Sequence, residues 1–491
     1  MRKFNLGLCL FLAGTQMPCH ADVLTEFAKV KSELNALYAF LKDMPKGGEL
    51  HYHLAGGAYP ETMLSVAAKE DYCLNKQSLA MTRPTHDCTG IKSSDLTKQP
   101  ELYAKTIKAW SMKDFIPGKE SGHDHFFATF YKFMYVVADN HVPLLAEIMT
   151  RAANQNEVYM EIMVMPDNAK STAIATEPVN VSDYDALRKQ LLADPKFMAE
   201  IDNTVAKSEA LLPDTLRYLG CDKNPGQPVC QLSVRFQYHV LREQPLEKVF
   251  PQALHAFEAA ERSPAIVGVN LVQAEDGIIS LRDYHEQMKI FGYMHKLYPN
   301  VRIALHAGEL AMGDVMPENL RFHIQDAITT GHADRIGHGV DIAYENNAEQ
   351  LTSYMAAKPI PVEVNLVSNQ KILKVKGLKC PLKYYLAHQV PVVLSTDDEG
   401  VLRTDLTSQY VEAVMEHDVD YPTLKQISRN ALTYSFLPGQ NLWTNPRKAT
   451  RVAACEDLSS DNCQQFVKDS EKARLQRQLE LKFIEFEKGY K

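Results

Sequence analysis

The sequence predicts an α/β chain whose eight parallel strands close into a (β/α)8 TIM barrel. Two observations carry the prediction. β-Branched apolar runs alternate with helix-patterned stretches along most of the chain, as expected of βα units around a parallel sheet. Four short polar motifs, His51-Tyr52-His53, His306-Ala307-Gly308-Glu309, Gly337-His338-Gly339 and Ser395-Thr396-Asp397-Asp398, each close one of those runs. In such barrels the chemistry sits at the C-terminal ends of the strands and in the loops that follow.

Taken in order, the strands are expected at about 48–54, 157–164, 233–241, 266–272, 301–306, 335–340, 362–366 and 392–395. The four motifs then fall at the ends of strands one, five, six and eight. A doubly wound open sheet is the alternative, but the chain has no Gly-x-Gly-x-x-Gly turn or phosphate loop to support one. Three segments exceed a minimal barrel. Residues 70–140 interrupt the first βα connection and include Ser121-Gly122-His123-Asp124-His125-Phe126-Phe127, where a lid or substrate wall would form. Residues 168–231 form a second, helix-patterned insertion. The tail at 438–491 ends in a helix whose Leu475, Leu479, Phe483 and Phe486 make one apolar stripe. That stripe is expected to pack on the barrel exterior, with a homodimer contact as the alternative.

Composition sets the surroundings. With 491 residues, 45% of them apolar, the chain has material for one large core. The net charge of −8 argues against a nucleic-acid or anionic-membrane partner, both of which need basic patches. Residues 1–21 resemble a secretory leader: Arg2 and Lys3, the apolar stretch from Leu6 to Ala13, then Cys19-His20-Ala21 before Asp22. A membrane anchor would need about 20 apolar residues, and the run is far shorter. The expectation is therefore an exported protein, periplasmic or secreted, with residues 22–491 as a single domain. Cysteine spacing agrees: beyond the leader, Cys73/Cys88, Cys221/Cys230 and Cys455/Cys463 pair closely, leaving Cys380 alone. Seven free thiols would be the alternative.

His51 and His53 stand two apart on a strand, so their side chains share a face. Either alone could be a surface or core histidine, and Asp397-Asp398 alone could be a solvated turn or a helix cap. Their joint occurrence at four strand ends makes a site the better reading. Histidines with a carboxylate, plus further acids to move protons, suit a hydrolytic zinc centre.

The order Pro45-Lys46-Gly47-Gly48-Glu49-Leu50-His51-Tyr52-His53-Leu54, His306-Ala307-Gly308-Glu309, Arg335-Ile336-Gly337-His338-Gly339, Ser368-Asn369 and Ser395-Thr396-Asp397-Asp398 resembles the adenosine deaminase family, from Met44 to about Asn430. The leader, the long first insertion and the cysteine pairs are more similar to its secreted, growth-factor-related branch. The resemblance implies one zinc ion held by His51, His53, His306 and Asp397. It implies Glu309 as the acid that protonates the purine ring, His338 as the group that orients water and takes its proton, and Asp398 as the group that holds the attacking hydroxyl. His53, Gln273 and Asp398 would touch substrate, a purine nucleoside such as adenosine or deoxyadenosine. Glu309 as a partner of His306, and His338 as a second-metal ligand with Glu275 bridging, are the competing assignments.

Three positions depart from the family pattern. Ala55 stands where an aspartate usually meets the ribose, Gln273 where a glycine offers its backbone N–H, and Glu399 where a proline follows the paired aspartates. They leave the zinc chemistry intact and weaken sugar recognition, so adenine or a modified aminopurine is the alternative substrate. A different amide or ester hydrolase on the same barrel, and a binding protein without turnover, are the remaining rivals. The His-x-Glu and Pro-Cys-x-x-Cys signature of cytidine deaminases is absent.

Overall fold

A computed structural model describes residues 22–84, 87–174 and 183–490. The expected leader at 1–21 lies outside the described residues. Eight strands form one parallel sheet in chain order: β1 Glu49–His53, β2 Tyr159–Val164, β3 Ser233–Leu241, β4 Ile266–Val272, β5 Arg302–Ala307, β6 Arg335–His338, β7 Val362–Val364 and β8 Val392–Leu394. β1 pairs with β2, and so on to β8. The sheet closes where Tyr52 bridges Asp397. There the His53 N–H donates to Asp397 O at 3.0 Å and the Asp397 N–H to His51 O at 3.2 Å. The expected (β/α)8 barrel is the observed one, and closure itself is made by two of the chemistry-bearing motifs.

Where strand bounds shift, they do so by one or two residues for local reasons. β1 starts after Gly48, whose φ of 134° is not a strand conformation for an L-residue. β6 stops at His338, which takes a φ of 67°, rather than at residue 340. β7 stops at Val364 because a helix, Leu366–Leu373, begins two residues later.

The first insertion holds a three-stranded antiparallel sheet, Cys73–Leu74 with Met81–Thr82 and Ile91–Lys92, and the long helix α1, Gly122–Asp139. The Ser121 hydroxyl caps α1 by accepting from the Asp124 N–H. Phe126, Phe133 and Val137 recur at helical spacing and are buried beneath it. The second insertion contributes α2, Pro195–Tyr218. After α3, Tyr421–Thr433, the tail runs through a short hairpin, Trp443–Asn445 with Thr450–Arg451, before its last helix α4, Glu471–Lys488.

On α4, Leu475, Leu479 and Phe483 are buried and Phe486 half-buried. Phe486 meets Phe40 and Tyr421, and the Glu480 carboxylate accepts from Nε and Nη2 of Arg429 on α3. The stripe is thus covered by its own chain, and each buried side chain contributes about 1.5–3 kcal/mol. All three expected cysteine pairs are disulfides, and Cys380 is free and buried.

Candidate active site

Each motif reaches the site because its strand ends where the barrel opens. His51 and His53 project from β1, His306 from β5, and Asp397 from the turn after β8. His53 Nε2 lies 3.2 Å from His306 Nε2, and Asp397 Oδ1 lies 3.3 Å from both His51 Nε2 and His53 Nε2. Four donor atoms therefore crowd within 4.8 Å of one another. Ligands about 2.0–2.1 Å from a tetrahedral zinc are separated by roughly 3.3–3.4 Å, so these spacings fit one ion. The remaining nitrogens support this orientation. His51 Nδ1 donates to Glu363 Oε2 at 2.8 Å and His306 Nδ1 to Asn270 Oδ1 at 2.9 Å, which turns both Nε2 lone pairs inward. His51 Nε2 is buried with no hydrogen-bond partner among the described residues, as a ligand atom would be.

Beside this cluster stand the proton-handling candidates. His338 Nε2 lies 3.7 Å from both Glu309 Oε1 and Asp397 Oδ2, and its Nδ1 donates to Asn369 Oδ1 at 3.1 Å. The Ser368 hydroxyl donates to Asp397 Oδ2 at 2.8 Å. Asp398 is buried with Oδ1 unpartnered, packed over Gly56, where an added Cβ would lie 1.9 Å from that oxygen. Gly337 has a similar role, since a Cβ there would meet His51 Cε1 at 2.7 Å. Gln273, His338 and Asp397 all hold positive φ, at 86°, 67° and 67°. Backbone strain of this kind concentrates where side chains must be aimed.

Burial sets most of the electrostatics. Burial and the nearby Asp397 carboxylate push Glu309 up to about 8. Burial and Asp397 likewise hold Asp398 well above the usual carboxylate range. Burial draws His338 down to about 4, so its imidazole is neutral at neutral pH. It also holds His306 well below the usual histidine value, with His51 and His53 adding to the effect. Burial opposes ionisation of Asp397, but the neighbouring His51 and His53 imidazoles outweigh it and keep the carboxyl well below its ordinary value. At His51 burial is overcome by the Asp397 and Glu363 carboxylates, which raise it to about 10. A metal ion would displace that proton, so binding is coupled to proton release.

A cavity of about 570 Å³ rises from this floor. Ala55, Gln273 and His239 line it, together with Phe126, Phe127 and Phe130 of α1. The His123–Phe127 stretch thus forms a wall, with His123 Nε2 joined to Asp276 Oδ1 at 2.9 Å after β4. No lysine or arginine lines the cavity among the described residues. Glu275 is not turned towards the metal cluster. Its oxygens accept the Gly308 and Glu309 N–H groups at 2.9 Å each and face His323 Nδ1 at 2.6 Å, so Glu275 itself is not free to bridge metals; Glu309, His338 and Asp397 form a second group whose ligand atoms lie within 4.8 Å of one another. Glu399 accepts from the Tyr52 hydroxyl at 2.7 Å and pairs with Arg151 at 3.2 Å, outside the cavity lining.

Sequence reading missed Asn270, Glu363 and His239. A signal existed for Asn270 and Glu363, each a polar residue inside an otherwise apolar barrel strand, where a side chain facing inward needs a partner; His239 shares its strand with Arg235 and Gln237 and does not stand out in this way.

Fold and site together define a barrel hydrolase with a His/Asp cluster on its rim, and comparison with known proteins narrows the class. The family profile described as adenosine deaminase matches residues 105–442, and the chain belongs to that family of C–N bond hydrolases. Adenosine deaminase of Clostridium kluyveri is 22% identical over 83% of this chain and 93% of its own length. Aminodeoxyfutalosine deaminase of Streptomyces avermitilis is 24% identical over 82% and 89%. A local match to adenosine deaminase of Clostridium acetobutylicum reaches 31% identity but spans 28% of this chain and 38% of that protein. Among solved structures, Arabidopsis ADAL complexed with IMP superposes with a TM-score of 0.55 at 17% identity, over 91% of this chain and 99% of that one. Adenine deaminase of Arthrobacter aurescens gives 0.51 at 18%, over 80% and 94%. At these identities the structural likeness speaks for the fold.

Proposed function

We propose that this protein is an exported, zinc-dependent deaminase of an unphosphorylated purine nucleoside, with adenosine and deoxyadenosine first. The observation that carries the reading is the convergence of His51, His53, His306 and Asp397 beside Glu309, His338 and Asp398 on the floor of one cavity. A zinc ion held by the four would supply Lewis acidity, bringing the pKa of a water ligand to about 7.

The side chains divide the remaining work. Glu309, protonated below about pH 8, donates to the ring nitrogen beside the amino-bearing carbon. His338, neutral and fixed through Nδ1 by Asn369, presents Nε2 as the acceptor for a proton from water. Asp398 holds the attacking hydroxyl, and the α1 wall with His53 and Gln273 orients the purine and excludes bulk water.

The lining favours a nucleoside over a nucleotide. Phosphate recognition calls for arginine, lysine or an open helix N-terminus, and the first turn of α1, which reaches the cavity through His123, is already capped by Ser121. His123, the most basic histidine of the wall, already points both nitrogens at Asp124 and Asp276. Ala55 offers the sugar no hydrogen bond, which keeps adenine or a modified aminopurine as the second reading. Three disulfides favour an oxidising compartment, in line with the leader-like residues 1–21.

Ammonia release from adenosine, deoxyadenosine, adenine and adenosine monophosphate, with and without chelator, tests the proposal. Chelator-sensitive turnover of the nucleosides is expected. Metal-independent activity, or a preference for the monophosphate, overturns it.

A further inference from the structure

The interior of the barrel below the site is not the layered packing of branched apolar side chains that such barrels usually hold. It carries a continuous hydrogen-bonded chain of buried polar side chains that begins at one candidate zinc ligand and ends at another. From His51 Nδ1 it passes to Glu363 Oε2 at 2.8 Å on β7. Glu363 Oε1 accepts from Arg335 Nε at 2.5 Å on β6. Arg335 Nη2 donates to Glu161 Oε2 at 2.6 Å on β2, and Gln237 Nε2 on β3 donates to the same oxygen at 3.2 Å. Asn270 Nδ2 on β4 donates to Gln237 Oε1 at 3.2 Å, and Asn270 Oδ1 accepts from His306 Nδ1 at 2.9 Å.

Each link has one polarity. The two carboxylates and Asn270 Oδ1 accept, the guanidinium donates to both carboxylates, and Gln237 relays by accepting from Asn270 and donating to Glu161. The terminal acceptors therefore require His51 and His306 to carry their protons on Nδ1. The chain is also anchored to the barrel floor. Arg335 Nη1 donates to Tyr434 O at 3.0 Å, its guanidinium stacks 3.6 Å from the Phe436 ring centroid, and the Phe436 N–H donates to Glu161 Oε1 at 2.6 Å.

Building on the zinc reading, we propose that this relay is a positioning device, with Arg335 and Gln237 holding two zinc ligands in mutual register although neither touches the ion. A relay couples its ends, whereas separate supports would act independently. Gln237 hydrogen-bonds neither ligand imidazole, but its Nε2 also donates to Leu50 O at 3.0 Å beside His51, so the double variant is what separates a relay from local support of β1.

The test is the zinc dissociation constant of the full-length protein, by competition with a chromogenic chelator, for wild type, Gln237→Met, Glu363→Gln and the double variant. Gln237→Met is expected to weaken zinc about tenfold and Glu363→Gln about 10- to 100-fold, the range for groups that orient metal ligands. The double variant is expected to fall short of the product of the two factors. A dissociation constant for Gln237→Met within about twofold of wild type, with only the melting temperature of the metal-free protein lowered, overturns the relay, as does a fully multiplicative double variant. If Gln237→Met does not fold, Arg335→Lys keeps the charge but cannot span both carboxylates, and the same titration then decides: weakening supports the relay and an unchanged constant overturns it. Wild-type protein that binds no zinc overturns the proposed function instead, so the two failures are distinguishable.

Discussion

Glu309 sits on a turn that Glu275 clamps through two backbone N–H groups, so the acid is held against the cavity without ligating through its neighbours. Glu309→Gln is expected to keep its zinc and lose about 10²–10⁴ in kcat, read by metal content and ammonia release. Loss of metal would instead make Glu309 a ligand support. The same residue sets a pH limb. Its pKa is raised to about 8 and it acts protonated, so kcat/KM is expected to fall as pH rises through about 8, and Glu309→Gln should abolish that limb. The motif residues were legible because several chemical groups recur at strand ends. Asn270 and Glu363 were not, since a lone polar residue in a strand shows its meaning only when its partner, 36 or 312 residues away, is in view.

Among the elements, α1 has the clearest functional consequence. Its Phe126, Phe127 and Phe130 wall the cavity, and His123 ties its first turn to Asp276 after β4. His123 is raised to about 9, burial being outweighed by the Asp276 and Asp124 carboxylates, so the pair is charged at neutral pH. Asp276→Asn should loosen this wall and raise KM for the nucleoside about tenfold while zinc content stays unchanged. An unchanged KM would show that α1 is held by apolar packing alone. The helical pattern and apolar face of α1 were readable along the chain. Its position over the cavity was not, because the deciding contact joins residues 153 apart.

For the whole molecule, three disulfides close short surface loops with sequence separations of 15, 9 and 8. Reduction of the protein should add six hydrogens in intact mass and lower the melting temperature, each crosslink contributing about 2–3 kcal/mol in the chain-entropy account. No mass change would mean free thiols. Chelation is expected to abolish ammonia release, and zinc should restore it while magnesium does not, since imidazole nitrogen suits zinc far better than magnesium.

The sequence by itself determined the barrel, the order of its strands, the cysteine pairs and the residues that gather on its rim. These depend on short-range pattern: alternation, strand length, loop spacing and motif order. Tertiary structure alone decided which nitrogen of each histidine faces inward, that Glu275 serves a turn, and that no lysine or arginine lines the cavity among the described residues. Those outcomes depend on contacts among side chains distant in sequence, and on burial, which shifts a proton or orphans a lone pair only once the barrel has closed.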